Sequence, residues 1–190
     1  RFERGEPIGT LESEPLAAEE SDATGTSVCF KPDTQIFTVG IIFDYATISA
    51  RLRELAYLNG GVRIVFRDER ESARDADGTP HEETYFYQGG IKEYVSYMNK
   101  EKEALHPEII YVDAEKDGVQ VEAALQWCSD AYSDSILGFA NNIRTVDGGT
   151  HIEGLKTVLT RTLNAFAKKL GKRKDADSNL AGENIREGLT

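Results

Sequence analysis

The chain has 190 residues, of which 39% are hydrophobic, and its formal net charge is −11. A chain of this length buries roughly 70% of its unfolded surface, which is enough for one large or two small domains. The acidic balance excludes a protein that grips a polyanion over its whole surface, because phosphate binding needs an excess of lysine and arginine, so any contact with nucleic acid must be local.

The first half of the sequence predicts short strands and one helix. Residues 5–25 mix Gly, Pro, Ser and Glu with little periodicity and predict an acidic loop. Residues 26–30 predict a short strand, and apolar residues at helical spacing from Asp44 onward predict a helix. Residues 62–66 and 84–88 predict two more strands, and the charged, turn-forming stretch between them makes this a hairpin with a long loop.

The second half predicts a sheet backed by helices, after Gly89-Gly90 breaks the pattern. Helical spacing predicts a helix over residues 91–98, and residues 109–112 predict a strand. Asp117-Gly118 is a pair favoured in two-residue type I′ turns, so a hairpin is expected there, with a further strand near residues 135–140. The strand after the turn alternates apolar and polar residues, which predicts one buried face made of Val119, Val121, Ala123, Leu125 and Trp127. These elements indicate the α+β class.

A long helix is expected after Gly148-Gly149, which supply the positive φ that a sharp reversal needs. Thr150 and Glu153 have the spacing of a capping box, so the helix should start at Thr150. Apolar residues then recur at three- and four-residue steps and predict a buried stripe: Ile152, Leu155, Leu159, Leu163, Phe166 and Leu170. A second line along the helix is polar: Lys156, Thr160, Asn164 and Lys168.

Nothing in the sequence indicates self-contained catalysis. It has no phosphate loop of the Gly-x-x-x-x-Gly-Lys type and no Gly-x-Ser-x-Gly elbow, and its three histidines have no metal-ligand spacing, so we assign no catalytic residue and no metal. His151, just after the paired glycines, is open to two interpretations. It is either a phosphate or switch contact or, by preference, a packing and turn residue.

Cysteine usage and hydropathy give further expectations. Cys29 and Cys128 lie far apart, which suits a reduced compartment better than a disulfide framework. No apolar run approaches the length of about 20 residues that spans a bilayer, and no signal segment opens the chain, so no membrane partner is expected. The chain starts at Arg1 and its only methionine is Met98, which leads us to expect an excised piece of a longer protein.

Residues 141–154, Asn-Asn-Ile-Arg-Thr-Val-Asp-Gly-Gly-Thr-His-Ile-Glu-Gly, resemble the signature of the B subunits of DNA gyrase. Four further segments match that family in order and spacing: residues 25–33, 51–59, 87–91 and 186–189. The resemblance covers essentially the whole chain. Residues 126–134 resemble the cyanobacterial and plastid branch of the family.

The resemblance implies a domain organisation. Residues 1–89 would be the C-terminal part of an ATPase domain of the GHKL (Bergerat) type. Residues 90–190 would be a transducer domain, incomplete at its C-terminus, with a β-α fold like that of a ribosomal protein. The boundary is expected at the glycine pair near Gly89, and both ends of the chain are expected to be cut inside folded regions.

The resemblance also implies site residues. Thr26 would lie beside the adenine pocket, where its hydroxyl can make a water-bridged contact; from the sequence alone it is ordinary β-branched filling of a strand. The other ligands of ATP and Mg²⁺ would lie outside this chain. Lys156 corresponds to a basic position lining the cavity through which a captured duplex passes, with Arg161 and Lys168 as weaker partners. Without the resemblance, Lys156 is a solvated lysine on a helix face.

The function expected from the resemblance is that of a part of an ATP-dependent type II topoisomerase that negatively supercoils DNA, in which this region couples ATP turnover to arm closure and strand passage. Its partners would be DNA, the gyrase A subunit and a second B subunit, in the bacterial cytoplasm or a plastid. The isolated chain should be inactive, and its tyrosines structural, since a tyrosine of the A subunit cleaves DNA. The alternatives are the B-type subunit of topoisomerase IV and, in a different class, a non-enzymatic nucleic-acid-binding module. The acidic composition weighs against that module.

Overall fold

A computed structural model describes residues 1–17, 24–28, 32–170 and 179–190. The described residues form two compact units, Arg1–Asp44 and Tyr45–Thr190. Their elements are mixed helix and strand, as the α+β class requires.

The first unit contains little regular structure. Strands β1 (Phe2–Glu3) and β2 (Glu6–Pro7) form a minimal antiparallel hairpin. The Arg4 guanidinium pairs with the Asp33 carboxylate at 2.9 Å. Residues 24–28 are exposed and form no strand. The predicted strand is therefore wrong for residues 26–28, because a strand needs a neighbour to bond with, and its last two residues lie outside the described residues.

The second unit begins with a helix packed on a hairpin. Helix α1 (Tyr45–Leu58) confirms the predicted helix. It contacts strands β3 (Arg63–Asp68) and β4 (His81–Phe86), which pair antiparallel with Phe66 opposite Glu83. The hairpin confirms the prediction, with both strands starting or ending a few residues from the expected bounds.

Helix α2 (Ile91–Met98) and the hairpin of β5 (Ile110–Lys116) and β6 (Val119–Leu125) follow. Asp117 and Gly118 have φ values of 53° and 75°, which is the type I′ geometry predicted from their pairing.

The predicted buried face of β6 is wrong over its first half. Val119 and Val121 remain 61% and 56% exposed, whereas Leu125 is buried. Helix α2 approaches the hairpin at Tyr111, where the Lys92 ammonium lies 4.7 Å from the ring centroid. Because side chains alternate along a strand and Tyr111 is paired with Ala124, that contact is on the face opposite Val119 and Val121.

The buried core of the second unit has two parts, one between α1, β4 and α2, with Ala56, Tyr57, Tyr85 and Val95, and one where β6 and the residues after it meet residues 185–190. Gln126 and Thr190 exchange two backbone hydrogen bonds, of 3.0 and 2.9 Å, and the Cys128 N–H donates to the Gly188 carbonyl at 2.8 Å. Leu189 is almost fully buried there, and the Trp127 indole donates to the Ile185 carbonyl at 2.9 Å. Cys128 is a free buried thiol whose pKa is raised by burial. Cys29, also expected to be a free thiol, lies outside the described residues.

The last elements are short strands and the long helix. Strands β7 (Phe139–Ala140) and β8 (Ile143–Arg144) form a small hairpin, so the strand predicted near residues 135–140 is shorter than expected. Helix α3 (Thr150–Lys169) starts at the predicted residue, and α4 (Gly182–Arg186) packs against it.

Two expectations about α3 are wrong. Its N-cap is Gly149, with no side-chain capping bond, because Glu153 accepts a hydrogen bond from Lys156 instead of reaching back. The apolar stripe is half-buried at its start and open at its end, where Phe166 and Leu170 are 56% and 55% exposed. The buried residue of α3 is Asn164, from the predicted polar line, because that line faces residues 179–186.

Candidate functional site

A groove runs between α3 and residues 179–186, and we call it the α3 groove. It encloses about 720 Å³, and its walls carry four cationic side chains: Lys156, Arg161, Lys168 and Arg186. The structure thus brings all three residues predicted to line a DNA cavity to one surface. Arg186 joins them and was missed, because α4 is far along the chain from the start of α3.

The Asn164 side chain links the two sides of the groove through hydrogen bonds. Its side-chain oxygen accepts a hydrogen bond from the Leu180 N–H at 2.8 Å, and its amide donates to the carbonyls of Thr160 and Leu180 at 2.9 and 3.1 Å. A buried amide with all these bonds satisfied fixes the distance between α3 and residue 180. The groove is therefore a built feature of the fold.

The four cations differ in their ion pairs. Lys156 pairs with Glu153 at 3.0 Å, and Arg186 pairs with Asp134 at 2.9 Å. Within the described residues, Arg161 and Lys168 are exposed and have neither an ion pair nor a side-chain hydrogen bond. Arg161 and Lys168 are therefore available to bind an anion, whereas Lys156 already forms an ion pair with the Glu153 carboxylate.

Thr26 belongs to the first unit, whereas the α3 groove belongs to the second. It is exposed in the irregular stretch 24–28, and its hydroxyl has no hydrogen-bond partner among the described residues. One exposed hydroxyl does not hold a nucleotide, so the described residues alone do not fit an ATP site. Nor do they contain a group of three or more His, Cys, Asp or Glu that could hold a metal.

His151 takes part in the turn that precedes α3. Its Nε2 atom lies 2.9 Å from the Thr145 hydroxyl, and its ring would meet any side chain added at Gly149. These contacts favour the interpretation of His151 as a packing and turn residue.

A partly buried polar cluster between α1 and β4 was not predicted. Glu83 accepts hydrogen bonds from the hydroxyls of Tyr45, Ser49 and Tyr85, the first two at 3.0 and 2.9 Å. The bond from Tyr85 is the main cause that lowers the pKa of the Glu83 carboxyl, with desolvation opposing it. A signal was present in the sequence, since Tyr45 and Ser49 are four apart on a helix and Glu83 and Tyr85 two apart on a strand.

A stack of tyrosines joins α1 to α2 and was also missed. The Tyr57 ring stacks on Tyr87 and Tyr94, with centroids 3.7 and 4.8 Å away, and Tyr97 lies 5.8 Å away. Arg53 adds a guanidinium 5.9 Å from the Tyr97 ring centroid. This stack spans the two sides of Gly89-Gly90.

A family model described as DNA gyrase B matches residues 90–190, which is more than half of the chain. The chain belongs to the DNA gyrase B family. The resemblance drawn from residues 141–154 is thereby confirmed.

The gyrase B relatives also support the branch indicated by residues 126–134. The chain is 65% identical over its whole length to the gyrase B protein of Synechocystis sp. and covers 17% of that protein. It is 49% identical to the chloroplastic/mitochondrial gyrase B of Oryza sativa subsp. japonica, again over the whole chain, and covers 25% of it. The chain thus spans a quarter or less of these two relatives.

Two solved gyrase B structures resemble the fold. The 43K ATPase domain of Thermus thermophilus gyrase B, crystallised with an aminocoumarin, matches with a TM-score of 0.69 and 34% identity, over 84% of this chain and 41% of that one. The B subunit of Myxococcus xanthus gyrase matches with a TM-score of 0.67 and 33% identity, over the same shares. No helix among the described residues is long and apolar enough to cross a membrane.

Proposed function

We propose that this chain is the part of a gyrase B protein that couples ATP turnover to the capture and passage of a DNA duplex. The whole protein is then an ATP-dependent type II topoisomerase that introduces negative supercoils. The observation that carries the proposal is the α3 groove, where Lys156, Arg161 and Lys168 meet on one surface of a chain whose net charge is −11. A local excess of cations on an acidic protein is what a confined phosphate contact needs.

The proposal includes two domains, residues 1–89 from a GHKL ATPase domain and residues 90–190 from a transducer. The match of the family model to residues 90–190 supports this boundary. The compact units divide elsewhere, between Asp44 and Tyr45, so the stacked tyrosines would hold the two domains together across the glycine pair.

The cofactors proposed for the whole protein are ATP and Mg²⁺. Thr26 is proposed as a contact near the adenine, and the remaining ligands as residues outside this chain, because the described residues do not form a nucleotide pocket. This chain would contribute the α3 groove.

The proposed partners are DNA, the gyrase A subunit and a second B subunit. The proposed location is either the bacterial cytoplasm or a plastid. The chloroplastic/mitochondrial name of the rice relative supports the plastid option. The relatives and structures quoted above bear gyrase B names, which does not favour a topoisomerase IV subunit or a non-enzymatic module.

Alanine substitutions in the full-length protein test this function. Replacing Arg161 or Lys168 by alanine should lower the rates of supercoiling and of DNA-stimulated ATP hydrolysis, and should reduce the salt slope of DNA binding by about 1 per lost phosphate contact. Lys156→Ala should act in the same direction but more weakly, because Lys156 already pairs with Glu153. ATP turnover without DNA and nucleotide binding should stay near normal.

Lys116→Ala is the matched control. Lys116 is an exposed lysine at the end of β5, with no ion pair in the described residues, so its loss changes the net charge without touching the groove. DNA-dependent rates that are unchanged in all three groove variants would contradict the proposed function.

A further inference from the structure

The four cations of the α3 groove are not equivalent, and their differences carry a second inference, which rests on the proposed function. The Arg186–Asp134 pair is the more enclosed, with side chains 16% and 35% exposed. Its guanidinium also lies close under Gly182, at the start of α4. Arg186 therefore holds α4 in place and is not free to leave its carboxylate.

Lys156 and Glu153 form a different kind of pair. Their side chains are 29% and 70% exposed, and the residues are three apart on α3. Side chains on a helix lean toward its N-terminus, so Lys156 naturally reaches back to Glu153 and away from Arg161 and Lys168. An ion pair this open to water is weak and readily exchanged for another anion.

We propose that Glu153 is an internal competitor for DNA phosphate that holds Lys156 back, so that Arg161 and Lys168 make the resting contacts with the duplex. A phosphate oxygen and the Glu153 carboxylate compete for the same ammonium group. The result is a weakened hold on the duplex, which suits a segment that must be released after passage. Glu153 is thus a residue that sets the strength of DNA binding without touching DNA.

The experiment measures the binding of a short labelled duplex to the full-length protein by fluorescence anisotropy over a series of salt concentrations. Glu153→Gln frees Lys156 to reach a phosphate. The variant should bind about 2- to 5-fold more tightly, as expected for the loss of an exposed pair. Its plot of log affinity against log salt should be steeper by about 0.9, the slope of one added phosphate contact.

Two further variants separate competition from a simple change in net charge. In the double variant Glu153→Gln with Lys156→Ala, the gain should vanish, because the competitor acts only through Lys156. Glu183→Gln removes the same charge from an exposed position on α4, where Glu183 has no ion pair within the described residues. This variant should leave the salt slope unchanged.

The outcomes are distinguishable. A gain that persists in the Lys156→Ala background, or an equal gain in Glu183→Gln, would mean a general field effect and would overturn the competitor role. That role is also overturned if Glu153→Gln behaves like the parent while Arg161→Ala and Lys168→Ala still weaken binding, and in that case the proposed function stands. If Arg161→Ala and Lys168→Ala bind the duplex as tightly as the parent protein, both the proposed function and this inference are contradicted.

Discussion

The Glu83 carboxylate lies where helix α1 meets strand β4, and it is the centre of the second unit's main polar cluster. Ser49 and Tyr85 are buried, so their hydroxyls need partners inside the protein. They share a 2.8 Å hydrogen bond and both bond to Glu83, and Arg53 lies 3.9 Å from its second oxygen. A single charged residue thus satisfies hydroxyl groups on two elements.

Glu83→Gln should destabilise the chain at neutral pH and flatten the acid side of its stability profile. The folded carboxyl has a pKa below its ordinary value of 4.5. The stability that the ionised carboxylate contributes is therefore fully present above the ordinary pKa. It is lost as the pH falls through the lowered pKa of the folded state. At pH 7 the cost should be about 1–3 kcal/mol, because the hydroxyls lose a charged acceptor.

The measurement for Glu83 is urea unfolding of both proteins at a series of pH values. The two profiles should converge as the pH is lowered. The same change at exposed Glu115, on β5, serves as the control. A constant difference at all pH values would mean that the carboxylate charge contributes nothing.

At the scale of elements, two glycines with free space around them have different backbone conformations, one left-handed and one helical. Gly118 ends the turn of the β5–β6 hairpin with a φ of 75°, and a Cβ placed there would meet nothing within 4 Å. Gly154 is in the interior of α3 and is equally open. Any effect of adding a methyl group at either position must therefore come from the backbone and not from a clash.

Gly118→Ala and Gly154→Ala should shift stability in opposite directions. The first should cost about 1–2 kcal/mol, because alanine is strained in the left-handed region. The second should gain about 0.5–1 kcal/mol, because alanine loses less conformational freedom than glycine in a helix. Thermal unfolding of the two variants checks this, and a shift in the same direction would disprove the backbone explanation.

At the scale of the molecule, the tyrosine stack decides whether residues on the two sides of Gly89-Gly90 unfold together. Tyr57 on α1 is buried and stacks on Tyr94 of α2. The tip of the β7–β8 hairpin adds a second link, since the Asn142 amide donates to the Asn59 side chain at 3.0 Å. These contacts make residues 45–190 one packed unit, although the proposed domain boundary lies within it.

Tyr57→Leu should destabilise both sides of the glycine pair at once. Loss of two stacked ring pairs should cost about 1–3 kcal/mol in unfolding free energy. Trp127, the only tryptophan, reports on the side beyond the glycines, and far-UV circular dichroism reports on the whole chain. The unfolding midpoints of both signals should shift to the same lower urea concentration.

The control for the stack is Tyr132→Leu, which removes an exposed tyrosine from the same unit. It should leave both transitions in place. A Trp127 transition that stays unchanged in Tyr57→Leu would mean that residues beyond Gly90 fold independently, as the proposed transducer boundary allows.

The sequence by itself determined the features that depend on neighbours a few residues away. Asp117-Gly118 predicted its turn, helical spacing predicted α1 and α2, and Gly149 with Thr150 predicted the start of α3, because backbone preferences and helix or strand periods act locally. The signature around the paired glycines also identified the family.

Only the tertiary structure decided which faces are covered and which charges are paired. Asn164 is buried and Phe166 is open because residues 179–186 approach the polar side of α3, and nothing within α3 encodes that approach. The role of Glu83 could not be predicted from its strand either, because its partners Tyr45 and Ser49 on α1 are more than thirty residues away in the sequence. Helical period places Glu153 beside Lys156, but the fold alone places that pair in a groove with Arg161 and Lys168, because contacts between distant segments depend on packing that no local pattern records.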